Sequence, residues 1–545
     1  MSLYKSTDED YLTRRMPARL KRAKICRDRF EGEASLTDCG EGSNLSPRRL
    51  PRAAVRAPRG LLSEAVGSGT PHGMAVFNGD LYVARGQELY RVRDGAWTRI
   101  GAVSDTDKRF FVFGERLYVY PDKVYLDAGG TELLPMELDS GVLTEKTTFK
   151  GSTVTLPGGK TWKSLGFAPG DCLRVENGDD DMPAPEGYYR ILTLVGRMAT
   201  VAESFPATYE SRARFRRVVP DLERVCVSGD RVYGTNGQEV YVSAAGSALD
   251  FYSRGTGDGS GAALRLSSDG DITACAVGQG SVIFFKQDSI CKLLGSRADN
   301  FTLQERPGVG VPAELADSLC EVAGDLYYAA RGGVYRYRGQ ESERISPLGD
   351  AAVQDAVGGT DGAAYYLSLC RAGAWRQFCY LPGEGRWFPE DTMAPAAMIR
   401  YKGFLCIQDG SGALWLTSAD GRDTGCGAVE EMVCGELILP PDYELQPEGC
   451  RPVEVAVRAD CHGGGVLEIF AEFADGSSAD GTAADGSAGK DTAGRSTVLL
   501  GRAEGAMVDR LLRFPVTPRH CDGVRISLRM TGDWTIHAVT RVYEV

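Results

Sequence analysis

One sequence motif decides the fold, and its clearest copy is Gly73-Met-Ala-Val-Phe-Asn-Gly-Asp-Leu-Tyr-Val-Ala-Arg85. Apolar and polar residues alternate on both sides of Asn78-Gly79, which is the pattern of two antiparallel strands joined by a tight turn. Residues 87–100 predict two more strands, joined by a turn that contains Gly95. The motif and the two strands that follow it therefore predict a four-stranded antiparallel sheet.

The motif recurs along the chain. Clear copies occupy 109–120 and 318–330, and weaker copies begin at Val225, Ile272 and Met398. A recurrence at roughly 30–50 residues is typical of propeller blades, and units of this kind cover their faces by packing on one another. We therefore predict an all-β protein built on a β-propeller of six or seven blades, with a multi-sheet β-sandwich as the alternative. The blades are expected at 71–100, 107–130, 220–255, 262–305, 315–347, 351–391 and 394–425.

Two segments interrupt the repeat. Residues 131–219, which include Phe167-Ala-Pro-Gly-Asp-Cys-Leu-Arg-Val and Gly187-Tyr-Tyr-Arg-Ile-Leu-Thr-Leu, predict a small inserted β-barrel. Beyond Pro440-Pro441, alternating strands at short spacing predict a β-sandwich, interrupted by a polar, flexible loop at 475–496. The predicted domains are a basic N-terminal arm (1–70), the first part of the propeller (71–130), the barrel (131–219), the second part of the propeller (220–438) and the sandwich (439–545).

The composition excludes several classes of protein. Hydrophobic residues at 43% and charged residues at 25% are ordinary for a globular chain, which excludes a disordered or collagenous protein. Glycine contributes 68 of 545 residues, an excess that fits many tight turns. No apolar run reaches the ~18 residues of a membrane span, and no signal peptide is recognised, so we expect neither stable membrane insertion nor secretion. Fifteen scattered cysteines without a C-x-x-C pair predict reduced, mostly buried thiols.

The charge is divided unevenly. Residues 1–60 contain 14 Lys/Arg and 8 Asp/Glu, a net charge of +6, so the total of −12 leaves −18 on the rest. Residues 5–30 have the most helical composition, and we expect an extended or short-helical arm. Its most basic stretch, 14–24, contains no aromatic residues interleaved with the cations, as base stacking would require. Docking on an acidic protein surface is therefore favoured over nucleic-acid binding.

Residues for catalysis or metal binding are scarce. Of the four histidines, His462 and His520 lie beside Cys461 and Cys521, but neighbouring residues on a strand point to opposite faces. The Asp-rich loop at 475–491 matches no calcium motif, and G-x-S-x-G and phosphate-binding loops are absent. We predict no catalytic, cofactor-binding or metal-binding residues and a non-enzymatic protein. A propeller hydrolase is the minor alternative.

Several segments carry a resemblance to a known group of proteins. The segment Glu41-Gly-Ser-Asn-Leu-Ser-Pro-Arg-Arg-Leu-Pro-Arg52 contains an N-x-S-P motif ahead of the first blade. It resembles bacteriophage structural proteins that begin in this way. Further similar segments start at Val119, Phe167, Val240 and Val282, with one more at Pro518. The chain is similar to virion proteins of phages of gut Firmicutes and, more loosely, to the nozzle (tail tubular B-type) and head-to-tail stabilisation proteins of short-tailed phages.

The resemblance implies a function in the virion. It implies a ring of identical propellers, by analogy a hexamer, assembled in the host cytoplasm. The ring would contact the tail adaptor or portal-side proteins and the tail fibres. Phage DNA would pass through its lumen without sequence-specific binding, since an acidic lumen does not retain a polyanion. Within the arm, we expect an interface formed by Arg48, Arg49, Arg52, Arg56 and Arg59, with a solvated strap along the chain's own propeller as the alternative. A receptor- or glycan-binding propeller at the tail tip is the alternative function.

Overall fold

Strands make up nearly all of the regular structure, in a computed structural model that describes residues 23–28, 42–50, 52–178, 183–253, 259–347, 352–439, 451–474, 496–517 and 523–544. Over these ranges there is no α-helix, and three short 3₁₀ segments occur at Pro47–Arg49, Lys163–Leu165 and Ala313–Ser318. The prediction of an all-β propeller is confirmed. Of the predicted arm helix at 5–30, only 23–28 lies in the described residues, and it is a strand.

The strands follow one another in chain order. The first are β1 (Ala23–Asp28), β2 (Leu45–Ser46), β3 (Ala53–Val55) and β4 (Gly60–Ser63). Blade 1 contains β5 (Pro71–Phe77), β6 (Asp80–Arg85), β7 (Glu88–Arg93) and β8 (Ala96–Ala102), and blade 2 contains β9 (Arg109–Phe113), β10 (Arg116–Tyr120), β11 (Val124–Asp127) and β12 (Leu134–Pro135). The insert contains β13 (Leu138–Val142), β14 (Thr147–Lys150), β15 (Thr153–Thr155), β16 (Cys172–Asn177), β17 (Gly187–Val195), β18 (Met198–Val201), β19 (Tyr209–Ser211) and β20 (Ala213–Arg217).

The remaining blades come after the insert. Blade 3 contains β21 (Arg224–Ser228), β22 (Arg231–Asn236), β23 (Glu239–Val242) and β24 (Ala262–Arg265), and blade 4 contains β25 (Ala274–Gly278), β26 (Ser281–Phe285), β27 (Ser289–Leu294) and β28 (Thr302–Pro307). Blade 5 contains β29 (Cys320–Val322), β30 (Asp325–Ala330), β31 (Gly333–Tyr337) and β32 (Ser342–Pro347), and blade 6 contains β33 (Asp355–Thr360), β34 (Tyr365–Arg371), β35 (Ala374–Leu381) and β36 (Arg386–Pro389). Blade 7 has the order β37 (Pro395–Tyr401), β38 (Phe404–Asp409), β39 (Leu414–Thr417), β4 and β40 (Ala428–Val429).

The innermost strands of the seven blades form a closed ring. Strands β5, β9, β21, β25, β29, β33 and β37 pack against one another in this order, and β37 packs against β5. All seven belong to one of the two compact units of the chain, which comprises 62–375 and 394–416. The number of blades is seven, and each predicted range overlaps one of them. Two strands are placed differently from the prediction: β24, predicted in the fourth blade, belongs to blade 3, and β4, predicted in the arm, belongs to blade 7.

The repeated turn has the backbone that its sequence predicts. Between β5 and β6, Asn78 and Gly79 have φ angles of 50° and 80°. Two successive positive φ angles define the type I′ turn, whose twist matches that of a β-hairpin and which favours Asn-Gly. The turn therefore fixes the register in which Phe77 faces Asp80.

The insert is a single curled sheet around its own core. Its eight strands have the order β13-β20-β16-β17-β18-β15-β14-β19. They surround a cluster of buried side chains that includes Phe149, Trp162, Phe167 and Phe215. The sheet begins at Leu138, since β12 still belongs to blade 2.

The other compact unit comprises 1–61, 376–393 and 417–545. Its main sheet is built on two long strands, β42 (Arg451–Ala474) and β45 (Gly523–Glu544), which pair antiparallel along almost their whole length. Both change direction at glycines with positive φ, Gly463 and Gly464 in β42 and Gly532 in β45. The two halves of the long strands share one apolar core, so the sheet packs on itself as a β-sandwich does.

Shorter strands complete this sheet. Strands β43 (Ser496–Glu504) and β44 (Met507–Pro515) pair with opposite halves of β42. Strands β1, β3 and β41 (Cys434–Ile438) pair with β45, and β2 pairs with β3. The sheet therefore includes strands from outside the predicted sandwich of 439–545. In particular, it incorporates the segment that carries the N-x-S-P motif.

Candidate functional site: the arginine clasp and the channel mouth

The N-x-S-P motif shapes the segment that carries the predicted interface arginines. The hydroxyl of Ser46 accepts a hydrogen bond from the backbone N–H of Arg48 and donates one to the carbonyl of Ala419. Pro47 occupies the first position of the 3₁₀ turn, where its missing N–H costs nothing. Asn44 adopts a φ of 54° and donates from its amide to the carbonyl of Cys434. The motif therefore anchors residues 44–49 within their own unit.

The first two arginines share one carboxylate. Arg48 and Arg49 both form ion pairs with Asp533, with 2.8 Å between Arg49 Nη2 and Asp533 Oδ2. Arg49 also donates to the hydroxyl of Thr535. Asp533 follows the bend at Gly532, so these contacts tie the arm to the corner of the long strands.

Arg56 and Arg59 form what we call the arginine clasp with Glu390, Asp391 and Glu430. Arg56 Nη2 lies 3.1 Å from Asp391 Oδ2, and Arg56 Nη1 lies 2.5 Å from Glu430 Oε2. Arg59 Nη2 lies 2.9 Å from Glu390 Oε2, and Arg59 Nη1 pairs with Asp391. Arg59 is fully buried. Buried charges persist only when they are paired and hydrogen-bonded. Both terminal nitrogens of Arg59 meet this condition, while its Nε has no hydrogen-bond partner within the described residues.

The clasp holds two guanidinium groups and three carboxylates, so one negative charge is in excess. Burial acts to raise the pKa of Asp391, but Arg59 and Arg56 outweigh it and hold the pKa below its ordinary value. Glu430 behaves in the same way, with a lowered pKa. Burial dominates at Glu390, whose pKa is raised. Glu390 is therefore the carboxylate of the clasp that protonates most readily.

Arg52 differs from the other four arginines because its side chain is exposed. Its positive charge helps to lower the pKa of Asp460 and of Asp509, although other contacts contribute more. Asp460 accepts a hydrogen bond from the backbone N–H of Asp509 and lies 2.7 Å from His537 Nε2. Four of the five predicted interface arginines thus have partners within their own unit. Whether the segment also binds another copy stays a prediction.

A second charged cluster, the channel mouth, lies at the starts of the inner strands and comprises Arg109, Arg224, Asp317 and Asp355. Asp317 is the last but one residue of the 3₁₀ segment ahead of blade 5. Its Oδ1 lies 2.9 Å from Arg109 Nη1 of blade 2 and 3.4 Å from Arg224 Nη1 of blade 3. Burial, followed by the charges of Asp317 and Asp107, raises the pKa of Asp355. The carboxylate of Asp317 thus links non-neighbouring blades across the ring.

The described histidines are engaged in hydrogen bonds or exposed. His72 lies between two aspartates, with 2.7 Å from its Nε2 to Asp105 Oδ1 and 3.0 Å from its Nδ1 to Asp107 Oδ1. His462 is exposed beside the buried Cys461, and the described part of the chain contains no group of three potential metal ligands. The predictions that concern His520, Cys521 and the loop at 475–496 lie outside the described residues, apart from Ser496. Likewise, no helix within the described ranges is long and apolar enough to span a membrane.

The cysteines with described side chains are free thiols. Cys226 of β21 and Cys275 of β25 lie on neighbouring inner strands. The adjacent thiol of Cys275, followed by burial, raises the pKa of Cys226. A raised pKa suppresses the reactive thiolate, so this pair serves packing between blades 3 and 4.

Comparisons with known proteins identify no family for this chain. No family model matches the sequence, and no curated protein does. Among solved structures, the chain is similar to the extracellular domain of a putative one-component system from B. thetaiotaomicron, with 8% identity over 66% of this chain and 39% of that one and a TM-score of 0.36. It is also similar to BamB from Moraxella catarrhalis, with 9% identity over 73% of this chain and 98% of that one and a TM-score of 0.32. A third similar structure is the Swd1 β-propeller domain from Myceliophteria thermophila, with 9% identity over 66% of this chain and 99% of that one and a TM-score of 0.31. The class that the strand topology defines is a seven-bladed β-propeller with an inserted domain.

Sequence reasoning found the arginines but missed their partners. Glu390 and Asp391 directly follow β36, the last strand of blade 6. Two consecutive acidic residues after a predicted strand are the only local signal of the clasp. In a chain with 74 Asp and Glu residues, that signal does not single them out.

Proposed function

We propose that this chain is a non-enzymatic structural protein of a bacteriophage virion, a nozzle- or hub-type ring component that joins tail parts and guides or seals the passage of DNA. The sequence resemblance to phage virion proteins supports the part of this proposal that places the chain in a virion. The observation that carries it is a pair of open strand edges in the sheet built on β42 and β45.

The open edges belong to β43 and β44. Within the described residues, each of these strands pairs with β42 alone, which leaves its other edge free for another chain. Val498 and Leu499 of β43 and Val508 of β44 are exposed, Val508 to 77%. Proteins normally protect such edges with charges or cover them, and exposed apolar residues beside an open edge mark a site of association. We assign this site to contacts between copies of the chain, since closed symmetric homo-oligomers predominate among soluble assemblies.

The DNA path of such an assembly lies between copies and not through one propeller. Asp317 joins Arg109 to Arg224 across the channel mouth. A double helix, whose major groove alone is about 12 Å wide, does not pass such a constriction. The net charge of −18 outside residues 1–60 suits a surface along which DNA slides without being held.

Arg52 extends the proposed contact into the arm. It is the exposed member of the predicted set, and the acidic body of a neighbouring copy would complement its charge. The other four arginines serve to fix the arm. We therefore assign intersubunit contact to Arg52, and assign intramolecular anchoring to Arg48, Arg49, Arg56 and Arg59.

The alternative, a glycan-binding propeller at the tail tip, gains no specific support. Sugar rings stack on exposed aromatic side chains, and all six tryptophans of the sequence are buried or half-buried. We therefore retain the ring protein as the proposal.

The oligomeric state of the purified full chain tests the proposal. Wild-type protein is expected to form a closed oligomer by light scattering, with a mass that is a multiple of 58.7 kDa. Val508→Asp and Arg52→Glu are expected to shift it toward the monomer, because a charge at an apolar contact and a reversed charge at a polar one both oppose association. Val66→Asp, at another exposed valine, is the matched control. A wild-type monomer at all concentrations, or equal effects of Val66→Asp and Val508→Asp, would overturn the assignment.

A further inference from the structure

The hairpin of β17 and β18 in the insert exposes three large apolar side chains. Leu192 is 50% exposed, Val195 69% and Met198 41%. Ile191 is buried in the core of the insert and Leu194 packs against that core. A bulge between Ile191 and Thr193 adds one residue to β17. Because alternate residues of a strand point to opposite faces, the bulge places Leu192 and Val195 together on the outer face.

The register of the hairpin brings Met198 to the same place. Val195 lies directly opposite Met198, so the two side chains share a face. With Leu192, they form an apolar tip that the insert's own core does not use. We call these three residues the hairpin tip.

Three cations lie in the turn of the hairpin and in a segment bound to that turn. Arg197 lies in the turn itself and is exposed. The segment 156–166 is bound to the turn by hydrogen bonds from Leu156 N to the carbonyl of Arg197 (2.9 Å) and from Trp162 N to that of Gly196 (3.3 Å). This segment contributes Lys160 and the exposed Lys163.

No carboxylate offsets these charges locally. Neither 156–166 nor 195–198 contains Asp or Glu. In the described parts of the chain, ion pairs do not involve Lys160, Lys163 or Arg197. Trp162, fully buried among Phe167 and Phe215, anchors the segment, so the cations are held on a rigid support.

We propose that the hairpin tip binds the surface of an anionic phospholipid bilayer. Apolar side chains flanked by Lys and Arg are the composition of segments that lie in the membrane interface, where hydrocarbon takes up the apolar groups and anionic headgroups attract the cations. The tip is small and lies at the end of a hairpin. Both β17 and β18 pair with a strand on each side, so the tip, unlike β43 and β44, offers no open strand edge to another protein chain. The binding is peripheral and does not depend on the assembly role proposed above.

Vesicle flotation of the full-length protein tests the proposal. The wild type is expected to float with vesicles of equimolar phosphatidylglycerol and phosphatidylcholine, and to remain at the bottom of the gradient with phosphatidylcholine alone. Val195→Asp is expected to reduce binding about tenfold, the effect of losing the transfer of one valine side chain from water. Arg197→Glu is expected to reduce binding and its dependence on salt.

The control is Val66→Asp, which alters an exposed valine outside the insert and is expected to leave binding unchanged. Equal binding to both kinds of vesicle, no flotation of the wild type, or equal losses in Val66→Asp and Val195→Asp would overturn the proposal. So would a Val195→Asp protein that keeps lipid binding but loses its oligomeric mass, because the tip would then be a contact between protein copies. Unchanged thermal unfolding of both valine variants shows that the comparison concerns the surface and not the fold.

Discussion

At the scale of single residues, the clasp shows how a basic segment can be structural. Arg59 is fully buried, and its guanidinium meets Glu390 and Asp391. Burial acts to lower the pKa of Arg59, but these two carboxylates outweigh it and the pKa is raised. Removing one partner of a buried ion pair leaves an uncompensated charge, which costs more than the pair contributes to stability.

The excess charge in the clasp leads to an asymmetric prediction. Arg59→Met is expected to lower the free energy of unfolding by about 3 kcal/mol, the typical cost of breaking a buried pair. Glu390→Gln is expected to cost less than about 1 kcal/mol, because it leaves two carboxylates for two guanidiniums and keeps a hydrogen-bond acceptor. Urea unfolding followed by tryptophan fluorescence, which includes Trp387 and Trp534, measures both. Equal losses for the two variants would contradict the proposed charge balance.

The pKa directions predict how the clasp responds to pH. The pKa values of Asp391 and Glu430 are lowered, so their contribution to stability is present above about pH 4 and is lost as the pH falls through the folded-state values. Glu390 has the opposite effect on stability. Because its pKa is raised, its ionisation costs more in the folded protein than in the unfolded chain, and its contribution to stability falls as the pH rises.

Unfolding at several pH values between about 4 and 7 tests these signs. The free energy of unfolding of Glu390→Gln relative to wild type should increase with pH. A relative stability that is constant or falls with pH would show that Glu390 is ionised in the folded protein without penalty.

At the scale of elements, the blades could be predicted because their signals are local. The turn residues and alternating strands of 73–85 lie within thirteen residues of one another, and the structure forms β5, the turn and β6 from them. The pairing of β3 with β45 has no such signal. Its partners, such as Ala54 and Thr535, are separated by most of the chain, and a three-residue strand has no readable period. The clasp could not be predicted for the same reason, because Arg59 and Glu390 are 331 residues apart in the sequence.

The type I′ turn of blade 1 gives a prediction at this scale. Gly79→Ala is expected to lower the free energy of unfolding by about 1 kcal/mol, the cost of placing a Cβ in the left-handed region, since no heavy atom lies within 4 Å of the new methyl group. Gly158→Ala is the matched control. Its Cβ also meets open space, but the backbone has no positive φ, so no loss is expected. Thermal unfolding by circular dichroism compares the two, and equal losses would refute a backbone origin.

At the scale of the whole molecule, the chain forms two compact units, one of which contains the insert. One unit closes a ring of seven inner strands, and the other incorporates an N-terminal segment into a sheet with open apolar edges. The proposed ring assembly uses those edges and Arg52, while the proposed lipid contact uses the hairpin tip of the insert. The two proposals therefore fail separately, because Val508→Asp and Val195→Asp alter different units.

The central claim, that the chain is a ring component of a virion, is tested most directly by a reconstruction of the phage particle that carries its gene. The proposal predicts density for several copies arranged symmetrically about the tail axis, each a seven-bladed propeller, with DNA passing between copies and not through one channel. A particle without this chain, or with it as a single copy off the tail axis, would contradict the claim.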